Sequence, residues 1–230
     1  MILYVNGDSH SAGAEAVNSF AFANDDPKFH FLGRLPHPAN LEVSYSQQLA
    51  NLLGYELHCD AESASSNSRI LRTTREYLKE NRPDLIIIGW STWERDEWLY
   101  NDIYWQVNAG GIGEDWPDRI KDTYKEWIVG LDYKQKARQA HADIIALDQE
   151  LNQFEIPHLF FNSYNSFDDS LRVTWGNRYL DPYDPNRTYW KWLSDQGFKS
   201  NQNYHFNADA HQAWAKFLLT KLTDESIITT

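Results

Sequence analysis

The sequence predicts a three-layer α/β/α sandwich with a mostly parallel central sheet. Continuous apolar runs such as "LIII" at 85–88 are typical of strands that are covered on both faces. Segments with helical spacing separate these runs, and this alternation indicates parallel strands joined by helices. The length of 230 residues suits one compact unit of this class. We therefore expect a single domain over residues 1–230, with insertions at about 90–130 and 163–204.

Four apolar runs predict the strands of this sheet. They are rich in β-branched or aromatic residues, and polar or glycine-containing segments bound them. The runs are Ile2–Val5, Tyr55–Cys59, Asp84–Gly89 and Ile156–Asn162, and the second is the weakest. We expect about four or five strands in total, with the first strand in a central position.

The predicted helices lie between the strands and after the last of them. They are Tyr45–Leu53, Ser68–Asn81, about 133–154 and about 208–222. Gly54 follows the first and Pro83 lies just beyond the second, so both carry a stop signal. The two insertions then leave from the carboxyl ends of strands, which is where ligands bind in sheets of this class.

The composition excludes several classes of protein. The net charge of −12 repels phosphate backbones and no basic block offsets it, so we expect no nucleic-acid partner. No apolar run approaches the roughly 20 residues that span a bilayer, and the amino terminus lacks a basic leader. We therefore expect a cytoplasmic protein with no membrane association. The single cysteine, Cys59, and the lack of metal-ligand or phosphate-binding spacings predict no metal site and no cofactor.

Tryptophan is unusually frequent, with ten residues in the chain. Five of them cluster between residues 90 and 116 of the first insertion, and these are Trp90, Trp93, Trp98, Trp105 and Trp116. Large rings either pack into a small core or present flat faces to a ligand. Packing is the commoner use. Because Trp90 and Trp93 follow the end of a predicted strand, we keep both as candidate substrate-binding residues.

A serine follows the first strand in the segment Asn6–Gly13, "NGDSHSAG". A serine hydroxyl becomes a nucleophile only when a base takes its proton. Of the eight histidines, His205 stands just before the last predicted helix, where a short loop brings it to the same sheet edge as Ser9. Ser9 and His205 are therefore the candidate nucleophile and general base of a serine hydrolase.

Together these segments resemble the SGNH hydrolases, also called GDSL esterases and lipases, whose fold is a flavodoxin-like α/β/α sandwich. "GDSH" at 7–10 resembles their first block and "HFNADAH" at 205–211 resembles their last. "SASSNSRI" at 63–70 and "IIIGWSTWER" at 86–95 stand where the middle blocks fall. The resemblance implies that Ser9 attacks and that His205 is its base. The words "RILRTT" and "GWSTWER" also resemble proteins of tailed phages.

The resemblance also implies which groups hold the oxyanion of the reaction. The second-block glycine of the family corresponds to Ala64, or to Ser65 beside it, and Asn67 lies in the same block. A backbone N–H remains there, without the conformational freedom of glycine. The third-block asparagine becomes Ser91, so its side-chain donor is replaced by a hydroxyl or lost.

The family aspartate that orients the histidine is absent from this sequence. Gln202 stands at its position, three residues before His205, and an amide stabilises an imidazolium less well than a carboxylate does. The partner of His205 is then a main-chain carbonyl, the Gln202 side chain or a relocated acid. Among the acids we expect Asp209, four residues beyond His205, with Asp195 as the second choice.

The sequence thus predicts an esterase, with a binding protein as the alternative. A Ser9–His205 pair predicts hydrolysis of acetyl or related esters of a carbohydrate or another small polar molecule. The changes at Ala64, Ser91 and Gln202 favour instead an impaired SGNH-fold protein that binds a glycan or belongs to a virion. The two interpretations differ in whether Ser9 is activated.

Overall fold

The computed structural model describes residues 1–23, 32–113 and 116–228. Within these residues the strands are β1 (Ile2–Gly7), β2 (Glu56–Cys59), β3 (Leu85–Trp90), β4 (Arg95–Tyr100), β5 (Ile103–Asn108) and β6 (His158–Asn162). The central sheet has the order β2-β1-β3-β6, and every neighbouring pair in it is parallel. β1 is therefore an inner strand, and the expected parallel sheet is confirmed.

The helices surround this sheet. They are α1 (Pro38–Val43), α2 (Tyr45–Leu53), α3 (Asn67–Leu78), α4 (Asp118–Val129), α5 (Tyr133–Gln153), α6 (Tyr189–Asp195) and α7 (Ala208–Asp224). The structure thus contains all of the helices that the sequence analysis expects, with ends that differ by a few residues at most. No helix in the described residues is both long enough and apolar enough to cross a membrane.

Two hydrophobic cores cover the two faces of the sheet. Along β1, Leu3 and Val5 point to the face that packs against α2 and α7, where Trp214 is fully buried. Tyr4 points to the opposite face, which packs against α3 and α5 through residues such as Ile144. This alternation is the period of a β-strand, and it makes the molecule a three-layer sandwich.

The first insertion contains regular structure that the sequence analysis did not predict. β4 and β5 form an antiparallel hairpin, and α4 follows it. Its rings pack on one another in a small core of their own: Trp98 meets Trp127 edge to face, and Trp105 tilts against Trp116. These tryptophans therefore pack against each other, as the commoner use of such rings predicts.

The two central strands approach each other unusually closely at their carboxyl ends. Gly7 lies opposite Gly89 in the register of β1 and β3. A Cβ atom on Gly7 would lie 2.1 Å from Oγ of Ser11 and 2.8 Å from the carbonyl oxygen of Gly89. Such distances are far inside van der Waals contact, so no side chain fits there. The turn after β1 is consequently folded back tightly onto the sheet edge.

We expect Gly7→Ala to lower the free energy of unfolding by roughly 1–3 kcal/mol, because the added methyl group overpacks this contact. Gly130→Ala is the matched control, since the nearest atom to its Cβ would be 3.5 Å away and the change should stay within about 0.5 kcal/mol. Chemical denaturation of the three proteins measures the effect. Equal stability of both variants would contradict the close approach.

Candidate active site

Three neighbouring strands end together at one edge of the sheet, and a serine follows each of them. The register pairs Gly7 with Gly89 and Trp90 with Asn162, so the segments after β1, β3 and β6 lie side by side. Ser9, Ser91 and Ser163 follow these strands. The buried carboxylate of Asp8 lies among them and accepts a hydrogen bond from Ser163 Oγ at 3.3 Å. This edge is the candidate active site.

Ser9 sits in the tight turn after β1. The N–H of Ala14 donates to the Ser9 carbonyl oxygen at 2.9 Å, and the N–H of Ala12 donates to the Asp8 carbonyl at 3.1 Å. Neither the hydroxyl nor the N–H of Ser9 makes a hydrogen bond within the described part of the chain. The turn is thus held by other groups, and both polar groups of Ser9 remain available.

His205 lies against this turn. Its ring centre is 5.5 Å from that of His10, the residue after Ser9. Its Nδ1 lies 3.1 Å from Oε2 of Glu15, in the same turn, although the N–H direction departs from that of a linear hydrogen bond. The structure therefore brings His205 to the segment that carries Ser9, from about two hundred residues away.

Glu15 is held in place by the segment that precedes His205. Nδ2 of Asn201 donates to Oε2 of Glu15 at 2.6 Å, and Nδ2 of Asn203 donates to Oε1 at 2.9 Å. Oδ1 of Asn201 in turn accepts from the N–H of His205 at 3.0 Å. Both asparagines thus orient the carboxylate, and one of them also orients the histidine backbone.

The surroundings keep Glu15 ionised. Partial burial acts to raise its pKa, but contacts with His205, Asn203 and Asn201 together hold the pKa below its usual value. A charged carboxylate beside Nδ1 favours the tautomer in which the other ring nitrogen, Nε2, is free to accept a proton. The pair is therefore arranged as a general base and its orienting acid.

The expectation that Asp209 or Asp195 partners His205 is wrong. Asp209 lies in the first turn of α7, where the helix dipole favours an acid, and it makes no contact with His205. Asp195 pairs with Lys191, one turn away on α6. The carboxylate beside His205 is that of Glu15.

Ala64 occupies the expected position at the sheet edge. Its φ of +67° is the left-handed conformation that favours glycine, so alanine keeps the backbone shape at this place. Its N–H donates to no acceptor within the described part of the chain. Nearby, the N–H of Glu62 donates to the Gly7 carbonyl at 3.2 Å, which ties this loop to the turn of Ser9. Ser65 directs its hydroxyl back to the Glu62 carbonyl at 2.8 Å.

The Asn67 side chain makes two hydrogen bonds with the main chain of Ser91 at this edge. Oδ1 of Asn67 accepts from the N–H of Ser91 at 2.8 Å, and its Nδ2 donates to the Ser91 carbonyl at 3.1 Å. The hydroxyl of Ser91 accepts from Nη1 of Arg95 at 3.0 Å. Both side chains are thus engaged in protein contacts.

The expectation that Trp90 and Trp93 contact substrate is wrong. Trp90 is 1% exposed and packs edge to face against Phe160 in the core. Trp93 is buried and stacks on Phe167, with ring centres 4.4 Å apart. Burial on this scale leaves no ring face for a ligand. Both rings instead support the segment that carries Ser91.

An open cleft of about 540 Å³ runs beside Ala64. The residues that line it include Ala64, Glu94, Arg95, Asn108, Tyr133 and Asn165. Oδ1 of Asn165 is buried there and has no hydrogen-bond partner, so it remains free to accept from a ligand. The cleft wall thus combines polar and apolar groups in about equal measure. In the described residues, no group of three or more His, Cys, Asp or Glu side chains is placed to hold a metal ion.

Two further histidines are buried behind His205. Burial, together with the neighbouring His205 and Arg95, holds the pKa of His10 far below its usual value. Burial also lowers the pKa of His211 to about 3, with the charges of His10 and His205 acting in the same direction. Nδ1 of His211 accepts from the N–H of Tyr45 at 3.2 Å, as a neutral ring must. Both rings are therefore uncharged parts of the core.

We expect His211→Asn to flatten the acid dependence of stability. An unfolded histidine titrates near pH 6.5, so below that pH the unfolded chain binds a proton that folded His211 excludes until about pH 3. As the pH falls from about 6.5 to about 3, this residue alone lowers the free energy of unfolding by about 1.4 kcal/mol per pH unit. Denaturation at pH 6, 5 and 4 should show a smaller slope for the variant, whose amide oxygen still accepts from Tyr45. An unchanged slope would show that His211 is not buried neutral.

Solved structures share this fold. An acetyl xylan esterase from the rumen bacterium Butyrivibrio proteoclasticus superposes with a TM-score of 0.52 at 13% identity, over 98% of this chain and 64% of that chain. A protein assigned to the lipolytic G-D-S-L family from Desulfitobacterium hafniense does so with a TM-score of 0.50 at 11% identity, over 99% of both chains. A carbohydrate esterase family 2 enzyme with a carbohydrate-binding domain from Corynascus thermopiles gives 0.50 at 15% identity, over 98% and 66%.

No family model matches the sequence, and no curated protein is significantly similar to it. The chain spans about two thirds of the length of the first of these esterases. The structural likeness nevertheless covers nearly all of this chain. The protein therefore has the SGNH fold, also called the GDSL fold, which the sequence blocks around Ser9 and His205 predict.

Proposed function

We propose that this protein is an SGNH-type serine esterase in which Ser9 is the nucleophile, His205 the base and Glu15 the orienting acid. The observation that carries the proposal is the contact of His205 Nδ1 with Glu15, 3.1 Å away, in the turn that presents Ser9. A histidine with a carboxylate behind it, next to a serine whose hydroxyl is unengaged, is the arrangement of serine hydrolases.

The reaction follows from these groups. Nε2 of His205 takes the proton of the Ser9 hydroxyl while Oγ bonds to the ester carbonyl carbon, and the carbonyl electron pair moves onto its oxygen. The unengaged N–H groups of Ser9 and Ala64 donate to that oxygen. The alcohol then leaves with the proton from His205. A water molecule, deprotonated by His205, releases the acid from Ser9 in the same way.

We propose an acetyl or similarly short ester of a carbohydrate or another polar molecule as the substrate. The cleft beside Ala64 offers amide groups such as those of Asn108 and Asn165, which suit hydroxyl-rich ligands. Two of the structurally similar proteins are carbohydrate esterases by name. The net charge of −12 disfavours strongly anionic polymers.

We expect Ser9→Ala to abolish hydrolysis of p-nitrophenyl acetate, because no other group supplies the attacking oxygen. Ser19→Ala is the matched control, since Ser19 is an exposed serine of the same segment, and its rate should equal that of the parent. A fluorophosphonate probe should label the parent and Ser19→Ala and leave Ser9→Ala unlabelled.

Equal turnover by Ser9→Ala and its parent would refute the proposed nucleophile. A parent protein that neither turns over esters nor takes the fluorophosphonate label would favour the other interpretation, a protein of SGNH fold that binds a glycan. Glycan-array binding by unlabelled protein would then support that function directly.

We expect Glu15→Gln to lower kcat by on the order of 10³–10⁴, since an amide neither sets the tautomer of His205 nor stabilises its charge. Asp209→Asn should leave kcat unchanged, because Asp209 does not contact His205. Steady-state kinetics on p-nitrophenyl acetate measures both. A lower kcat in Asp209→Asn together with an unchanged kcat in Glu15→Gln would show that Asp209 of α7, and not Glu15, is the orienting acid.

A further inference from the structure

We propose that Arg95 donates the side-chain hydrogen bond to the oxyanion, the function that the sequence analysis assigned to the position of Ser91. The inference rests on the proposed esterase function and adds a catalytic residue to it. One nitrogen of the Arg95 guanidinium is held beside Asp8, and the other two make no hydrogen bond within the described part of the chain.

The anchor of Arg95 uses one end of the guanidinium. Nη1 donates to Oγ of Ser91 at 3.0 Å and lies 3.5 Å from the carbonyl oxygen of Ser65 and 3.7 Å from Oδ2 of Asp8. Nε and Nη2 make no hydrogen bond within the described part of the chain. The guanidinium therefore keeps unused N–H groups, while its position is defined by three neighbours.

Arg95 stands beside the open cleft. Arg95 and Ala64 line the same cleft, and the Arg95 side chain is 23% exposed there. The N–H of Ala64 is also unengaged. Nη1 of Arg95 lies 3.7 Å from Oδ2 of Asp8, the residue before Ser9, so the guanidinium lies at the sheet edge that carries Ser9. Backbone and side-chain donors thus converge on one region.

The charges around Arg95 suit a developing anion. Burial raises the pKa of the Asp8 carboxyl, and Arg95, the N–H of His10 and the Ser91 hydroxyl act against that rise. Glu94 is the other charged residue that lines the cleft, beside neutral amides and small residues. A fixed guanidinium in such a place stabilises negative charge that forms in the transition state, and it needs no reorganisation to do so.

Ser91 then acts as a positioning residue. Its main chain is clamped by Asn67 through two hydrogen bonds, and its hydroxyl receives Nη1 of Arg95. A serine in place of a longer amide leaves room for the arginine to reach the edge from β4. In this proposal the side-chain donor comes from Arg95 at the start of the hairpin and not from position 91, just after β3.

The test compares Arg95→Met with its parent on p-nitrophenyl acetate, a neutral ester. We expect kcat to fall by about 10²–10³, because a donor to the oxyanion acts in the transition state, with KM within about threefold of the parent value. Arg95→Lys should recover part of the rate, since an ammonium keeps the charge without the planar fork. Thermal unfolding of each variant monitors folding.

Arg72→Met is the matched control. Arg72 is 25% exposed and makes two hydrogen bonds to Glu97 of the same hairpin, so its removal takes away an arginine of similar exposure and more pairing. Its kcat should equal that of the parent. Binding of phenylboronic acid, whose adduct with a serine carries negative charge on oxygen, should weaken at least tenfold in Arg95→Met and stay unchanged in Arg72→Met.

Equal kcat and equal boronate binding in Arg95→Met and its parent would overturn the inference and leave the esterase function intact. A defect confined to KM for a carboxylate-bearing ester, with normal kcat on the neutral ester, would also overturn it and make Arg95 a substrate-charge ligand. A parent that is neither active nor labelled at Ser9 would overturn the esterase function itself, and this inference with it.

Discussion

The close approach of Gly7 and Gly89 is the constraint on which the rest of the site depends. With hydrogen atoms in place of side chains, the ends of β1 and β3 accept the Ser11 hydroxyl between them. The chain can then turn sharply back after Gly7, so that Asp8 and Ser9 stand at the edge of the sheet. A larger residue at position 7 or 89 would displace the turn.

The proposed orienting acid, Glu15, lies in the same turn as the proposed nucleophile, and its contact with His205 joins the two ends of the chain. Glu15 lies six residues after Ser9, yet its partners are Asn201, Asn203 and His205. In the aspartate arrangement of the resembled family, the acid and the histidine share one loop. Here the same pair forms only when the amino-terminal turn meets the segment before α7. The proposed catalytic pair is thus a product of tertiary folding, and it is lost if either segment shifts.

The β4–β5 hairpin of the first insertion likewise brings a charged side chain, that of Arg95, to the sheet edge. Its tryptophans pack on one another, and this small core fixes the start of β4 close to Ser91. Arg95 is the first residue of β4. The insertion is therefore a small packed unit, and its first strand places the guanidinium of Arg95 beside Ser91. Trp90 and Trp93 are buried on either side of Ser91 in the chain, and their packing holds the segment that carries Ser91.

Local signals in the sequence determined the strands, the main helices and the positions of Ser9 and His205. α2, for example, begins after the capping hydroxyl of Ser44 and ends at Gly54 in the left-handed conformation, and both signals are written within a few residues. The β4–β5 hairpin also had such a signal, because Asn101 and Asp102 at its turn both take a positive φ, a conformation that these residue types tolerate. No local signal of this kind identified Glu15 as the acid beside His205.

Only the tertiary structure decided that Glu15 faces His205, that Arg95 reaches Asp8, and that Trp90 is core. Each of these contacts joins residues that are distant in the chain, so no local pattern encodes them. Periodicity and capping act over one or two turns and are therefore readable from the sequence. The distance between Glu15 and His205 depends on how the strands of the sheet and their connections pack together, so only the complete fold sets it.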